Sequence, residues 1–208
     1  MEKDPAQKIE RERRAGQRAG GAAQGERLPP GQHWVGKLPV LHYGGVPRFD
    51  PQNWDLRVYG LVENPTTWSY PQLRALPATR IQTDIHCVTR WSMVDTAWEG
   101  VRFRDIAAIV RPQPAARFVL AHCEHSFTAN VPLEKLMDED VLLAYRYNDA
   151  DLTPEHGYPL RLVVPKLYFW KSAKWLRGLE FMDKDQLGFW ERYGYHNDAD
   201  PWLEQRYA

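Results

Sequence analysis

The stretch DIHCVTRWSM, residues 84–93, sets one cysteine, Cys87, beside His86, Thr89, Arg90 and Trp91. A free cysteine kept for packing behaves as a small hydrophobe among aliphatic neighbours, whereas polar and cationic company favours the thiolate. Nucleophilic catalysis would need an imidazole base facing the thiol. His86 is adjacent in sequence, and in an extended segment adjacent side chains point to opposite faces. A soft metal held by one thiolate is another reading, with its remaining donors coming from something besides protein. On spacing alone, structural cysteine, metal ligand and nucleophile all stay open.

Three other stretches carry groups able to do chemistry. In YFWKSAKWLRGLEF, residues 168–181, Lys171, Ser172 and Lys174 follow an apolar strand candidate. Two ammonium groups, a hydroxyl and backbone donors in one loop suit a phosphate; two solvated lysines on a helix is the plain alternative. PEHGYPLRLVV sets His156 and Arg161 five residues apart around a Gly-Tyr-Pro turn. Arg161 then either pairs with an acid or reaches a ligand at the start of the strand. GFWERYGYHNDADPW places Tyr193, Tyr195 and His196 in a Gly-broken loop, which either lines a pocket or anchors a tail wrapped over the domain.

The elements that must position these groups are legible in part. WDLRVYGLV alternates apolar and polar residues as a half-buried strand does, and ENP is a turn. SYPQLRAL predicts a short helix opened by Ser69, and TRIQTDIHC predicts a second strand ending at Cys87. RFRDIAAIV predicts an amphipathic helix stopped by RPQP. ARFVLAHCEH and PLRLVVP are β-prone, with PLEKLMDED a short helix between them. Strands and short helices interleave without a regular βαβ rhythm, so the expected class is α+β.

The 208 residues suit one domain with a proper core. Lysine plus arginine equals aspartate plus glutamate at 27 each, so no basic excess points to nucleic acid. Cys87 and Cys123 are the two cysteines, and their spacing matches neither a zinc site, a redox dithiol nor c-type haem attachment. Residues 1–33 are charged and nearly free of large apolar side chains; they predict a frayed, solvated helix and a flexible linker ahead of a domain at 34–208. An Arg pair in that segment is followed by no apolar run, so the expectation is a cytoplasmic protein without a membrane span.

Taken together and in order, these pieces resemble the molybdopterin-binding domain of the sulfite oxidase family, from Leu38 to the carboxyl terminus. LPVLHYGGVPRFDPQNWDLRVYGLV, HCVTRWS with WEGVRFRDI, DVLLAYRYNDADLTPEHGYPLRLVVP, WKSAKWL and FWERYGYHN are each similar to a family segment. The resemblance implies a sulfite oxidase-type fold of mixed sheets with short helices. It implies one molybdenum-molybdopterin per chain and no haem, with Cys87 as the single protein thiolate on molybdenum, a chemically reasonable soft donor. His156, Arg161, Lys171, Ser172, Ala173 and Lys174 would hold the pterin and its phosphate, with His42 and Tyr43 touching the cofactor. Cys123 falls where a related bacterial branch has a pterin-contacting threonine. Tyr195 matches the active-site tyrosine, and Arg90 would attract an anionic substrate. Oxygen-atom transfer on a small oxyanion or a sulfoxide is the implied reaction, by a monomer exchanging electrons with a separate partner; the alternative is a catalytically silent molybdopterin-binding or carrier protein. Leu41 stands where animal and plant sulfite oxidases have an arginine, and Arg90 stands alone where they have an Arg-Arg pair, which should weaken sulfite binding.

Overall fold

A computed structural model of the chain describes residues 4–16 and 27–208. In chain order its elements are α1 (Pro5–Gly16), β1 (His33–Trp34), β2 (Asp55–Gly60), β3 (Thr66–Ser69), α2 (Tyr70–Arg74), β4 (Thr79–His86), β5 (Trp91–Arg102), α3 (Phe103–Val110) and β6 (Phe118–Cys123). They continue with β7 (Thr128–Pro132), α4 (Leu133–Leu136), β8 (Leu142–Tyr147), β9 (Ala150–Asp151), β10 (Arg161–Val163), β11 (Leu176–Met182) and α5 (Phe189–Arg192). This is the expected α+β class: two mixed sheets with short helices between strands.

One sheet runs β1-β5-β8-β10, with β4 also on β5 and β9 on β8; the other runs β3-β2-β11-β6-β7. Most pairings are antiparallel, while β1 with β5 and β11 with β2 are parallel. Leu56, Val58, Leu120, Leu179 and Phe181 of the second sheet and Trp98, Val101, Leu142 and Leu143 of the first are almost fully buried. Each large aliphatic or aromatic side chain so buried stabilises the fold by about 1.5–3 kcal/mol against exposure.

Local chemistry explains the helices. Ser69 donates its backbone N–H to Gln72 Oε1 at 2.9 Å, the reciprocal half of a capping box, and Pro71 sits in the first turn. In α3 the buried Phe103, Ile106, Ala107 and Val110 share one face, the spacing of an amphipathic helix. Arg111 closes α3 in the left-handed region at φ 54°.

Where a frayed, solvated helix is expected, α1 docks instead. Ile9 is buried against the domain and the Arg13 guanidinium donates to the Ala208 carbonyl oxygen at 3.0 Å. Of the expected flexible linker, GERLPPGQHW, the first two residues lie outside the described residues, but residues 27–34 are docked and not flexible: Leu28 and Gln32 are buried, Gln32 Nε2 donates to the Cys87 carbonyl at 3.0 Å, and β1 pairs with β5. No helix among the described residues is long and apolar enough to cross a membrane.

Candidate active site

Cys87 sits at the tip of the β4–β5 hairpin. Its N–H donates to the Trp91 carbonyl at 2.9 Å, and the Arg90 N–H donates to the Cys87 carbonyl at 2.9 Å, so the four-residue loop is held at both ends. Arg90 takes φ 75° to close it. The adjacent His86 faces the other way, sharing a hydrogen bond with Ser92 Oγ at 2.8 Å and packing its ring edge-on to Trp202. Burial pushes the His86 imidazole down to about 4, so a thiol–imidazole couple is not built here.

The thiol opens onto a cavity of about 290 Å³ whose wall includes His42, Tyr43, His156, Arg161, Ser172, Ala173, Lys174 and Tyr195. Its Sγ accepts from Thr89 Oγ1 at 3.3 Å, and burial raises the thiol pKa. The charged end of the cavity comes from β10 and the loop that folds back on it. Leu162 donates to the Ala173 carbonyl at 2.9 Å, and Arg161 and Lys174 form an antiparallel bridge, which sets the two cations side by side. Gly157, at φ 109°, lets the turn before β10 pass close by: a Cβ there would meet the Cβ atoms of Arg161 and Lys174 at 3.1 Å.

Neither cation has a carboxylate partner among the described residues. Arg161 is 1% exposed and donates to the carbonyl oxygens of His156 at 2.9 Å and Ser172 at 2.7 Å. Lys174 Nζ donates to the carbonyls of Leu41 at 2.7 Å and Glu155 at 2.6 Å. Burial pushes Arg161 down to about 9 and Lys174 down to about 7. Buried charge without a counterion is costly and is found where a ligand supplies one. Ser172 Oγ accepts from the Val164 N–H at 2.9 Å and keeps its own proton for a further partner. Burial also lowers the His156 pKa; its Nε2 lies 3.3 Å from the Leu38 carbonyl and ties the segment carrying His42 and Tyr43 to the site.

The other end of the cavity is aromatic. Tyr195 follows α5, is 2% exposed, and packs on Trp170 and Trp190 with ring centroids 4.6 and 5.4 Å away. Tyr43 packs on Phe189 at 4.9 Å and His42 meets Trp175 edge-on at 5.7 Å.

Three residues expected at the site are not in the cavity wall. The Arg90 guanidinium turns towards the amino-terminal segment, with Nη1 3.4 Å from the Gly31 carbonyl, because the left-handed backbone at the hairpin tip directs it away from the thiol. Lys171 is wholly buried against Glu191, Nζ to Oε1 2.6 Å, and also donates to the Asn130 carbonyl at 2.8 Å. Its charge is neutralised inside the protein, and it braces the loop before β11 against α5. Cys123 ends β6 outside the cavity wall, where burial beside Glu124 raises its thiol pKa. Sequence reasoning in turn missed the aromatic lining, Trp91, Phe169, Trp170 and Trp190 among it, and it missed Lys8 of α1. The density of tryptophan in 168–190 was the available signal for the lining; nothing marked Lys8.

Comparison with known proteins bears on this geometry. The family described as "oxidoreductase molybdopterin binding domain" matches residues 43–190. The chain belongs to this family. Among relatives, the uncharacterized oxidoreductase YuiH of Bacillus subtilis (strain 168) is 49% identical over 89% of this chain and 94% of its own length. Family members named as a protein-methionine-sulfoxide reductase catalytic subunit (Campylobacter jejuni) and as mitochondrial sulfite oxidase (Drosophila melanogaster) are each 27% identical. The matches cover 74% and 75% of this chain but only 59% and 32% of those proteins. The sulfane dehydrogenase SoxCD of Paracoccus pantotrophus superposes with a TM-score of 0.64 at 27% identity, over 74% of this chain and 43% of that one.

The family's cofactor is a molybdopterin, and the protein is a molybdopterin-dependent oxidoreductase of the sulfite oxidase type. The donors present fit that group. Among the described residues no cluster of three or more His, Cys, Asp or Glu could hold a metal ion by itself, so a metal at Cys87 needs donors from an organic chelate. The two carboxylate-free cations in the same cavity suit the phosphate of such a chelate.

Proposed function

We propose that this protein carries out oxygen-atom transfer at a molybdenum centre bound by one molybdopterin and by the Cys87 thiolate, with a small oxyanion or a sulfoxide as substrate and a separate molecule as electron partner. The single observation that carries this reading is the cavity joining the Cys87 thiol to the buried Arg161 and the half-buried Lys174, neither of which has a carboxylate partner among the described residues. When bound, the cofactor supplies the two-electron redox chemistry.

The chain's own residues have separable tasks. Cys87 gives up a proton that burial otherwise holds on, and metal ligation is what makes the thiolate favourable there. Arg161 and Lys174 hold the phosphate, aided by the Ser172 hydroxyl, while His42, Tyr43, His156 and Ala173 shape the pterin groove. The aromatic wall around Tyr195 excludes water, which strengthens each hydrogen bond made inside it. The Tyr195 hydroxyl donates to Glu12 Oε2 in this structure; released from that carboxylate it would donate to the substrate oxygen, and it stays protonated because burial raises its pKa.

The test is a screen of metal-loaded protein against sulfite, sulfoxides and N-oxides, following oxidation or reduction of a dye. Turnover that vanishes in Cys87→Ser while pterin is retained supports the reading. Normal turnover in that variant contradicts the ligand assignment. Retained molybdenum and pterin without turnover on any member of the panel would favour a silent carrier.

A further inference from the structure

Helix α1 reaches the substrate end of the cavity. Lys8 lines it, with Nζ 4.5 Å above the Trp190 ring. One turn on, Glu12 Oε2 accepts the hydrogen bond of the Tyr195 hydroxyl at 2.5 Å. Tyrosine has one hydroxyl proton. While Glu12 holds it, Tyr195 cannot donate to anything else.

The hold on α1 is slight. Pro5 and Ile9 are its buried apolar side chains among the described residues, and Arg13 adds a hydrogen bond to the Ala208 carbonyl and a contact over the Tyr207 ring at 5.2 Å. The remaining polar contacts, such as the Glu10–Arg14 pair, lie within the helix and face solvent. Exposed pairs of this kind contribute little to docking. A twelve-residue helix fixed by so few contacts is drawn from the low end of local stability.

We propose that α1 is an intrachain plug over the substrate mouth, in which the Glu12 carboxylate occupies the Tyr195 hydroxyl in place of the substrate's oxygen, and that substrate binding requires α1 to leave. This rests on the reading above that Tyr195 meets the substrate. Lys8 completes the plug: it lies 3.6 Å from Glu12 Oε1 and offsets that charge at the aromatic wall. Substrate and helix compete for one hydroxyl, so the apparent affinity for substrate is the intrinsic affinity multiplied by the fraction of molecules that are unplugged.

The experiment uses metal-loaded full-length protein, with dimethyl sulfoxide and sulfite as probes. Deuterium exchange of residues 5–16 is read beside steady-state kinetics in wild type and Ile9→Asp. The expected result is that a saturating probe speeds exchange of α1 in wild type by about tenfold or more. Ile9→Asp should exchange fast without a probe and show a KM lower by about tenfold or more, with kcat little changed. Glu12→Ala, which removes the acceptor of the Tyr195 hydroxyl and favours the helix, serves the same comparison if Ile9→Asp does not accumulate. Turnover at saturation with α1 still protected would overturn the plug, as would a freed helix with KM unchanged or raised. Should neither protein turn over any probe, the functional reading fails, and the exchange data still decide the plug: unseating of α1 by a probe sustains it and continued protection refutes it.

Discussion

Replacing Lys171 by methionine distinguishes a structural brace from a phosphate ligand. The Lys171 and Glu191 side chains are 0% and 1% exposed and meet at 2.6 Å. Glu191 Oε1 also accepts from the Trp170 indole at 2.8 Å, and Lys171 Nζ also reaches Asn130 Oδ1 at 3.0 Å. Burial lowers the Lys171 pKa, and Glu191 opposes that shift. Removing the ammonium leaves a buried carboxylate without its counterion, and breaking such a pair costs about 3–5 kcal/mol. With a urea dependence of about 3 kcal/mol/M, the unfolding midpoint falls by about 1–1.7 M. Lys171→Met/Glu191→Gln removes the charge as well as its partner, so the double variant should recover much of the loss. Folded Lys171→Met should keep molybdenum and pterin, since Arg161 and Lys174 provide the charge at the cavity. A variant that loses pterin while its urea midpoint is unchanged would refute this and return Lys171 to the phosphate.

Two other expectations follow from the same geometry. Tyr195→Phe removes one preorganised donor, so kcat should fall on the order of ten- to a thousandfold with the fold kept; a wild-type kcat would make the Tyr195 loop structural. Sulfate, which does not titrate near neutrality, should bind the cofactor-free cavity better at pH 6 than at pH 8.5. Burial holds Lys174 down to about 7, so it is charged below that pH and neutral above it, while Arg161 at about 9 stays largely charged through the range. Calorimetry should find that Lys174→Met binds sulfate more weakly at pH 6 and has lost the pH dependence; an unchanged pH profile in the variant would remove Lys174 from the anion site.

Sequence pattern and structure agree where a single rule dominates. Strand β2 shows its alternation, α3 its helical face, and Ser69 with Gln72 its cap, because each is a local signal. Strand β5 was not legible, since Gly100 reads as a breaker. The structure needs glycine there: β8 bulges at Tyr145 opposite Glu99–Gly100, and a Cβ at Gly100 would collide with the Leu143 carbonyl oxygen. At the site, the grouping of Cys87, Arg161 and Lys174 was reached through the family resemblance, not through spacing. Which lysine of WKSAK meets the cavity was not legible, because Lys171 and Lys174 differ only in what packs around them. The docking of α1 was hidden for a similar reason: one isoleucine among charged residues gives no pattern, yet Ile9 finds an apolar seat.

The most direct test of the account is the molybdenum X-ray absorption spectrum of wild-type protein beside that of Cys87→Ser, both taken from cells replete in molybdenum. The account predicts about one metal per folded chain in wild type and the loss of one sulfur neighbour in the variant, whose pterin stays in place through Arg161 and Lys174. An unchanged sulfur count, or wild-type protein without molybdenum, would contradict it.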